Sequence, residues 1–284
     1  VSALLSAPIG FVGLGVMGEP MCAHLTARAK GPVLVHDLRD DAVSRAVAAG
    51  ARAAGSLAGL RTQAQVVFLC LADGEATRET CRALSEPASE VRLVIDCGTT
   101  SVALTQSLAG ELAEYGIEFA DAPMARMRQA ARAGSLSFMV GAAPDVFTRI
   151  EPLLATMGSD ILHCGPVGSG QVVKTMNNMV LFETVHALAL SVRVCRKLGV
   201  DPRTLLTALG HGSADSGRCA SKARTSSMST FQQGPSPRTT RARTSRSLTN
   251  SPRRPAPTTH CWRRPTPRSP APPRADAATP ITPS

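Results

Sequence analysis

The sequence predicts an α/β fold: a doubly wound, mostly parallel sheet, followed by one long helix that opens a second, incomplete, all-helical domain. Three observations predict it. Short apolar runs alternate with stretches of helical spacing through the first 168 residues. The first run ends in a turn carrying Gly13, Gly15 and Gly18, and a helix opens directly after it. Beyond Gly168 the alternation gives way to a single long apolar stretch. Alternation of that kind buries a parallel sheet beneath helices on both faces.

The elements follow in order. Ile9-Gly-Phe-Val12 is the first strand, and residues 19–29 are a helix with Met21, Cys22 and Leu25 at helical spacing. Residues 32–37 read as a second buried strand and 40–49 as the next helix. Strands are expected at 66–71, 93–96, 117–120 and 136–140, with helices such as 76–84 and 102–114 between them. Residues 171–198 form the long helix, closed by Gly199. At a rise of about 1.5 Å per residue it spans on the order of 40 Å, enough to bridge two domains. The domain boundary is therefore placed near Gly168: 1–168 form the sheet domain and 169–216 the start of the helical one. A last helix from Pro202 to Leu209 has Asp201 as N-cap and Pro202 in its first turn.

Composition divides the chain in the same way. The formal charge is +10, yet residues 217–284 hold 13 Lys and Arg against the single acidic Asp276, leaving 18 basic and 20 acidic residues before them. The same tail carries 12 of the 21 prolines and only Phe231 and Trp262 as aromatics. It has too little apolar surface to offset the entropy of ordering it, so a disordered basic Pro/Arg/Ser/Thr tail is expected. The eight cysteines include no CxxC pair and sit mostly in apolar runs, as reduced thiols of a cytoplasmic protein do. The six histidines show no metal-ligand spacing, so no metal is expected. The start lacks a basic segment and runs straight into the first strand, a poor signal peptide, and no apolar stretch reads as long and clean enough to span a bilayer.

Strand, glycine turn and helix in that order form a phosphate cradle. In Gly13-Leu14-Gly15-Val16-Met17-Gly18 the first glycine permits the tight turn, the second lets the backbone approach a pyrophosphate, and the third lets helix and strand pack closely. The helix N-terminus then offers free N–H groups and partial positive charge to the phosphates. Met17 packs under the loop. Asp37 stands where an acidic residue accepts the hydroxyls of an adenosine ribose, which favours NAD over NADP. Arg39, two residues on, leaves NADP open. Lys174 and Asn178 stand four apart on the long helix and share one face, so they can converge on one substrate oxygen, the lysine giving a proton and the amide holding the oxygen. A lysine beside a loop and an asparagine on backbone groups fit the same spacing.

Taken together, the glycine turn, Asp121-Ala-Pro123, Gly134-Ser-Leu136 and Gly165-x-x-Gly168-x-Gly170-x-x-x-Lys174-x-x-Asn177-Asn178 resemble the β-hydroxyacid dehydrogenase family, of the 3-hydroxyisobutyrate dehydrogenase type. The resemblance runs from Ile9 to about Ser216. It implies that Lys174 is the general acid/base and Asn178 the substrate-orienting amide, with Asn177 beside it. It also places Leu71, Ala72, Asp73 and Thr99 on the nicotinamide side of the cofactor. Where most members read Asp-Ala-Pro-Val-Ser-Gly-Gly, this chain reads Asp121-Ala-Pro-Met-Ala125-Arg126-Met127. The hydroxyl that grips the substrate carboxylate is replaced at Ala125. Arg126 offers a charged fork for a carboxylate, sulfonate or phosphate, similar to the sulfolactaldehyde reductase branch. The implied substrate is a small, strongly anionic β-hydroxy acid or its semialdehyde.

The tail begins where that family continues with amphipathic helices. Three explanations compete: a nucleic-acid-binding arm, a proline-rich partner ligand, or a chain read out of frame. With a CGN codon for Arg263, reading His260-Cys-Trp-Arg263 from the third base of each codon forces Leu-Leu-Ala. The same shift permits Lys-Asp-Leu-Ala-Leu-Ala over residues 242–248, so a frameshift near Ser216 is the expectation and nucleic acid is disfavoured as a partner. By resemblance a homo-oligomer is expected, which the tail puts in doubt for this chain. Imine reduction is disfavoured by Lys174. The alternative is a catalytically impaired NAD-binding protein acting through its basic tail.

Overall fold

The computed structural model describes residues 3–212 and Ala214; the expectations for 217–284 lie outside them. Six strands make the parallel part of one sheet: β1 (Ile9–Val12), β2 (Val33–His36), β3 (Arg52–Ala53), β4 (Val66–Leu69), β5 (Leu93–Asp96) and β6 (Glu118–Asp121). Three more complete it: β7 (Met124–Ala125), β8 (Leu136–Gly141) and β9 (Gly158–Gly165). The order across the sheet is β3-β2-β1-β4-β5-β6-β8-β7, with β9 paired to β8. β8 runs antiparallel to β6 and β7 and parallel to β9.

The helices between them are α1 (Gly18–Arg28), α2 (Asp40–Ala48), α3 (Leu57–Arg61), α4 (Gly74–Ser85), α5 (Val102–Ala113), α6 (Arg128–Arg132) and α7 (Pro144–Leu154). They cover both faces, and alternate strand residues divide between them. Phe11, Phe68, Ile95 and Phe138 enter one apolar cluster, and Val67, Leu69, Val94 and Phe119 the other. Phe11 and Phe68 stack across neighbouring strands with ring centroids 5.8 Å apart. Both faces being dry, β1 and β4 read as unbroken apolar runs, and β5 as one that ends in the buried Asp96.

The chain leaves β1 toward β2 on one side and returns to β4 on the other. That reversal opens a crevice at the C-terminal ends of β1 and β4, the place where sheets of this kind bind ligands.

After β9 the chain turns at Gly168, in the left-handed region at φ +95°, into α8 (Ser169–Lys197), followed by α9 (Pro202–His211) capped by Asp201. One expectation needs correction here. By length and composition α8 qualifies as a helix that could cross a membrane, because Lys174, Asn177, Asn178, Glu183 and His186 are too few to break its apolar run. Its start is nevertheless committed to the sheet domain, with Gly170 and Gln171 buried. Beyond them only Leu188 and Val192 are buried, and Phe182 is 68% exposed.

Candidate active site

The glycine turn is built by three different constraints. Gly13 follows β1 at φ +95° and donates its N–H to the His36 carbonyl at 3.0 Å; a Cβ there would run into the Cys70 carbonyl oxygen. A Cβ on Gly18 would fall on the Gly13 carbonyl oxygen, so helix α1 and the turn pack backbone to backbone. Gly15 differs: nothing lies within 4 Å of the position its Cβ would take. The protein's own packing does not demand a glycine there, while a ligand lying against the backbone would. Among the described residues no side chain caps the N-terminus of α1, which leaves its dipole to an anion.

Asp37 sits one residue past β2 and braces this turn. Its Oδ2 accepts the Leu14 N–H at 2.6 Å, and its Oδ1 accepts the Arg39 N–H at 2.9 Å. The Arg39 side chain closes the loop, with Nε 3.5 Å from Oδ1 and Nη2 donating to the Leu14 carbonyl at 3.0 Å. Asp37 and Arg39 stand with Gly13, Gly15, Leu71 and Asp73 around a cavity of about 520 Å³. Asp73 also caps α4, its Oδ1 accepting the Ala76 N–H at 2.9 Å, which starts that helix two residues earlier than predicted.

A second cavity of about 310 Å³ lies further along the same crevice, lined by Met17, Leu71, Ala72, Thr99, Arg126 and Lys174 among others. Lys174 is half-buried and forms no hydrogen bond or ion pair with the described residues. Burial alone pushes its ammonium below the ordinary lysine value of 10.5.

Lys174 is held there by a network that sequence reasoning missed. Asp121, at the end of β6 and fully buried, accepts the Gly168 N–H at 2.7 Å and the Gln171 N–H at 2.8 Å, so it caps α8 from across the sheet. Burial raises its carboxyl, and those N–H bonds oppose the rise. The Gln171 side chain, also fully buried, donates Nε2 to the Gly98 carbonyl at 3.0 Å and accepts the Thr100 N–H on Oε1 at 3.3 Å. Asp96, beside Asp121 in register, accepts the Gly98 N–H at 2.8 Å on Oδ1, while its buried Oδ2 has no partner among the described residues. Burial, with the Asp121 charge adding to it, pushes the Asp96 carboxyl up to about 6. The only sequence hint was an aspartate at a strand end before Pro123 and a glutamine inside the glycine motif.

Of the residues expected at the substrate, the 310 Å³ cavity gathers Lys174 and Arg126 but not Asn178, Asn177 or Ala125. Asn177 is exposed and donates weakly to Asn178 at 3.4 Å. Arg126 adopts φ +77°, a conformation that suits glycine. Its guanidinium is engaged: Nη2 lies 2.7 Å from Asp160 Oδ2, and Nη1 donates to Ser159 Oγ at 2.8 Å and to the Ser135 carbonyl at 2.5 Å. The fork expected to be open to substrate thus already has a carboxylate partner on β9.

Residues 8–165 match the family described as the NAD binding domain of 6-phosphogluconate dehydrogenase. Residues 168–236 match that described as the NAD-binding of NADP-dependent 3-hydroxyisobutyrate dehydrogenase. The human mitochondrial 3-hydroxyisobutyrate dehydrogenase is 34% identical over 215 residues, which are 75% of this chain and 63% of the human protein. The 2-(hydroxymethyl)glutarate dehydrogenase of Eubacterium barkeri is 32% identical over 214 residues, covering 74% and 71% of the two chains. A solved structure of the Mycobacterium tuberculosis 3-hydroxyisobutyrate dehydrogenase with L-serine superposes with a TM-score of 0.69 at 32% identity, over 74% of this chain and 72% of that one.

Proposed function

Since the chain belongs to the β-hydroxyacid dehydrogenase family, we propose that it transfers hydride between NAD(P) and a small anionic β-hydroxy acid or its semialdehyde, with Lys174 as proton donor and acceptor. One observation carries the reading: a half-buried lysine, without a partner among the described residues, shares a cavity with Thr99, Leu71 and Met17, in the crevice that the glycine turn opens. The cradle fits a dinucleotide, because Gly13 and Gly18 are filled by the chain's own backbone and Gly15 is left clear. When bound, the cofactor supplies or accepts the hydride. The chain supplies the rest. Residues 1–168 hold the dinucleotide, and the first turns of α8, in the helical part from 169 on, bring the proton. Lowered by burial, Lys174 exchanges that proton more readily near neutral pH than an exposed lysine does.

The Asp37 carboxylate is well placed for ribose hydroxyls, which supports NAD. Arg39, half-exposed and paired to it, supports use of NADP as well, since it can turn to a 2′-phosphate. For the substrate we propose the 3-hydroxyisobutyrate, tartronate semialdehyde or sulfolactaldehyde type, its anionic end drawn to Arg126 in competition with Asp160. Asn178 and Asn177 meet the substrate on α8 in this reading, beside Ala125. A second reading is favoured by the exposure of Met176, Met179 and Phe182 just past Lys174: a chain that binds the dinucleotide but turns over poorly because that side of the site lacks a wall.

Titration with NADH followed by fluorescence, and turnover assays over a panel of hydroxy acids and sulfonates, test both. In Lys174→Met, NADH binding is expected to hold while turnover falls about 10²- to 10⁴-fold. Undiminished turnover would sink the assignment of Lys174. Binding without turnover in the parent chain selects the second reading.

A further inference from the structure

Gln171 and Lys174 stand three apart at the start of α8, so their side chains leave the helix on the same side, one turn above the other. Gln171 is the one fully buried side chain of that turn that reaches another element through both ends of its amide. Its Nε2–H bonds the Gly98 carbonyl and its Oε1 takes the Thr100 N–H. Those two backbone groups flank Thr99, which lines the same cavity as Lys174. The backbone of the same residue is fixed independently, its N–H bonded to Asp121 Oδ2. Gly170 leaves no slack beside it, since a Cβ there would meet the Met139 carbonyl oxygen and Asp121.

We propose that Gln171 is a positioning residue for this site: its amide staples the 97–100 loop to the first turn of α8 and so sets the place of Lys174 relative to Thr99. The proposal rests on the reading of Lys174 as the proton donor, but the geometry it asserts is independent of turnover. Without the staple Asp121 still caps the helix, so α8 remains docked while the loop and the following turn lose their common reference. The Gly98 carbonyl and the Thr100 N–H would then lack partners in a dry setting, and the loop would open to water to satisfy them. Water at that point also ends the desolvation that holds the Lys174 ammonium low.

Gln171→Met keeps the volume and deletes both bonds. Two measurements on the full chain read the result. Hydrogen exchange by mass spectrometry is expected to show the segment spanning Thr100 exchanging roughly tenfold faster or more, with the glycine turn unchanged. Trace acetylation as a function of pH, with Lys30 and Lys197 as internal standards for the amount of label, is expected to show the Lys174 midpoint moving up toward the ordinary lysine value. A cooperative urea transition and a far-ultraviolet dichroism spectrum like the parent's certify that the variant is folded. A folded Gln171→Met whose exchange and labelling both match the parent overturns the proposal. Should that variant fail to fold, Gln171→Asn keeps the amide but is one methylene too short to reach both backbone partners. It is expected to raise exchange at the loop by a smaller factor, and parent-like exchange there overturns the proposal equally. Turnover of Lys174→Met tests the underlying reading separately.

Discussion

Strand β4 and helix α8 are both strongly apolar, yet every residue of β4 is buried while the later turns of α8 bury only Leu188 and Val192. The strand lies between neighbours on both edges and helices on both faces. The helix is anchored by its first turn and then runs out across exposed Val180, Phe182, Leu190 and Val194. Apolar patterning therefore states what must be covered, not what covers it. The consequence for function is a division of rigidity. Gly13 and Gly18 of the glycine turn sit against packed backbone, whereas Lys174, the proposed proton donor, hangs from a helix secured through Asp121 and Gln171. Substitutions in the two regions should differ sharply in cost, and that difference can be tested.

The largest effect is expected at Gly18→Ala. Its Cβ would occupy the place of the Gly13 carbonyl oxygen, and neither backbone can give way without moving β1 or α1. A cost of about 3 kcal/mol or more is expected, with loss of NADH binding. Urea unfolding and NADH titration measure the two. A variant that keeps both would show the cradle to be as loose as the helix.

Asp96 gives the next effect, and it depends on pH. Its carboxyl is raised from 3.8 to about 6 in the fold, so the native state holds the proton more tightly than the unfolded chain does. The stability this contributes is present below pH 3.8 and lost as pH rises through about 6, an amount on the order of 3 kcal/mol at most. Asn cannot ionise and still offers an oxygen to the Gly98 N–H. Asp96→Asn is therefore expected to be more stable than the parent at pH 8 by about 2 kcal/mol and to have a flatter profile between pH 4 and 7. Unfolding at pH 5 and pH 8 checks it, and a variant weaker than the parent at pH 8 would contradict it.

How much of this was legible in the sequence follows the range of the interactions. β1, the glycine turn and α1 could be read because strand, turn and helix are specified by adjacent residues. α8 could be read from its length and from Gly199. β3 and β7 are two residues long and exist by pairing with β2 and β8, so their own propensities say little. β9 exposes Ser159, Asp160 and Leu162 without regular alternation, along a path set by β8. The site divides the same way. Gly13, Leu71, Ala72, Thr99 and Lys174, named from motif and resemblance, line the two cavities of the crevice. Asp121 and Gln171 were not assigned roles, because their partners lie 47, 50 and 73 residues away. The same applies to Arg126, whose charge met a partner next to Ser159, 33 residues on.

The smallest effect on stability, and the sharpest test of the comparison, belongs to the exposed side of α8. Phe182→Glu removes a ring that is 68% exposed and so forfeits little burial. It also places a carboxylate beside Glu183, four residues before His186, in a solvated turn. Within the chain the change is expected to shift unfolding by about 0.5 kcal/mol or less, against about 3 for a substitution in the cradle. Between chains the expectation reverses, because a contiguous apolar face in water drives association and a charge at its centre opposes it. Sedimentation of parent and variant across a concentration series separates the two. A variant destabilised as much as Gly18→Ala would mean that Phe182 is covered within the chain after all. An unchanged association profile would mean that this face of α8 is not what brings copies together.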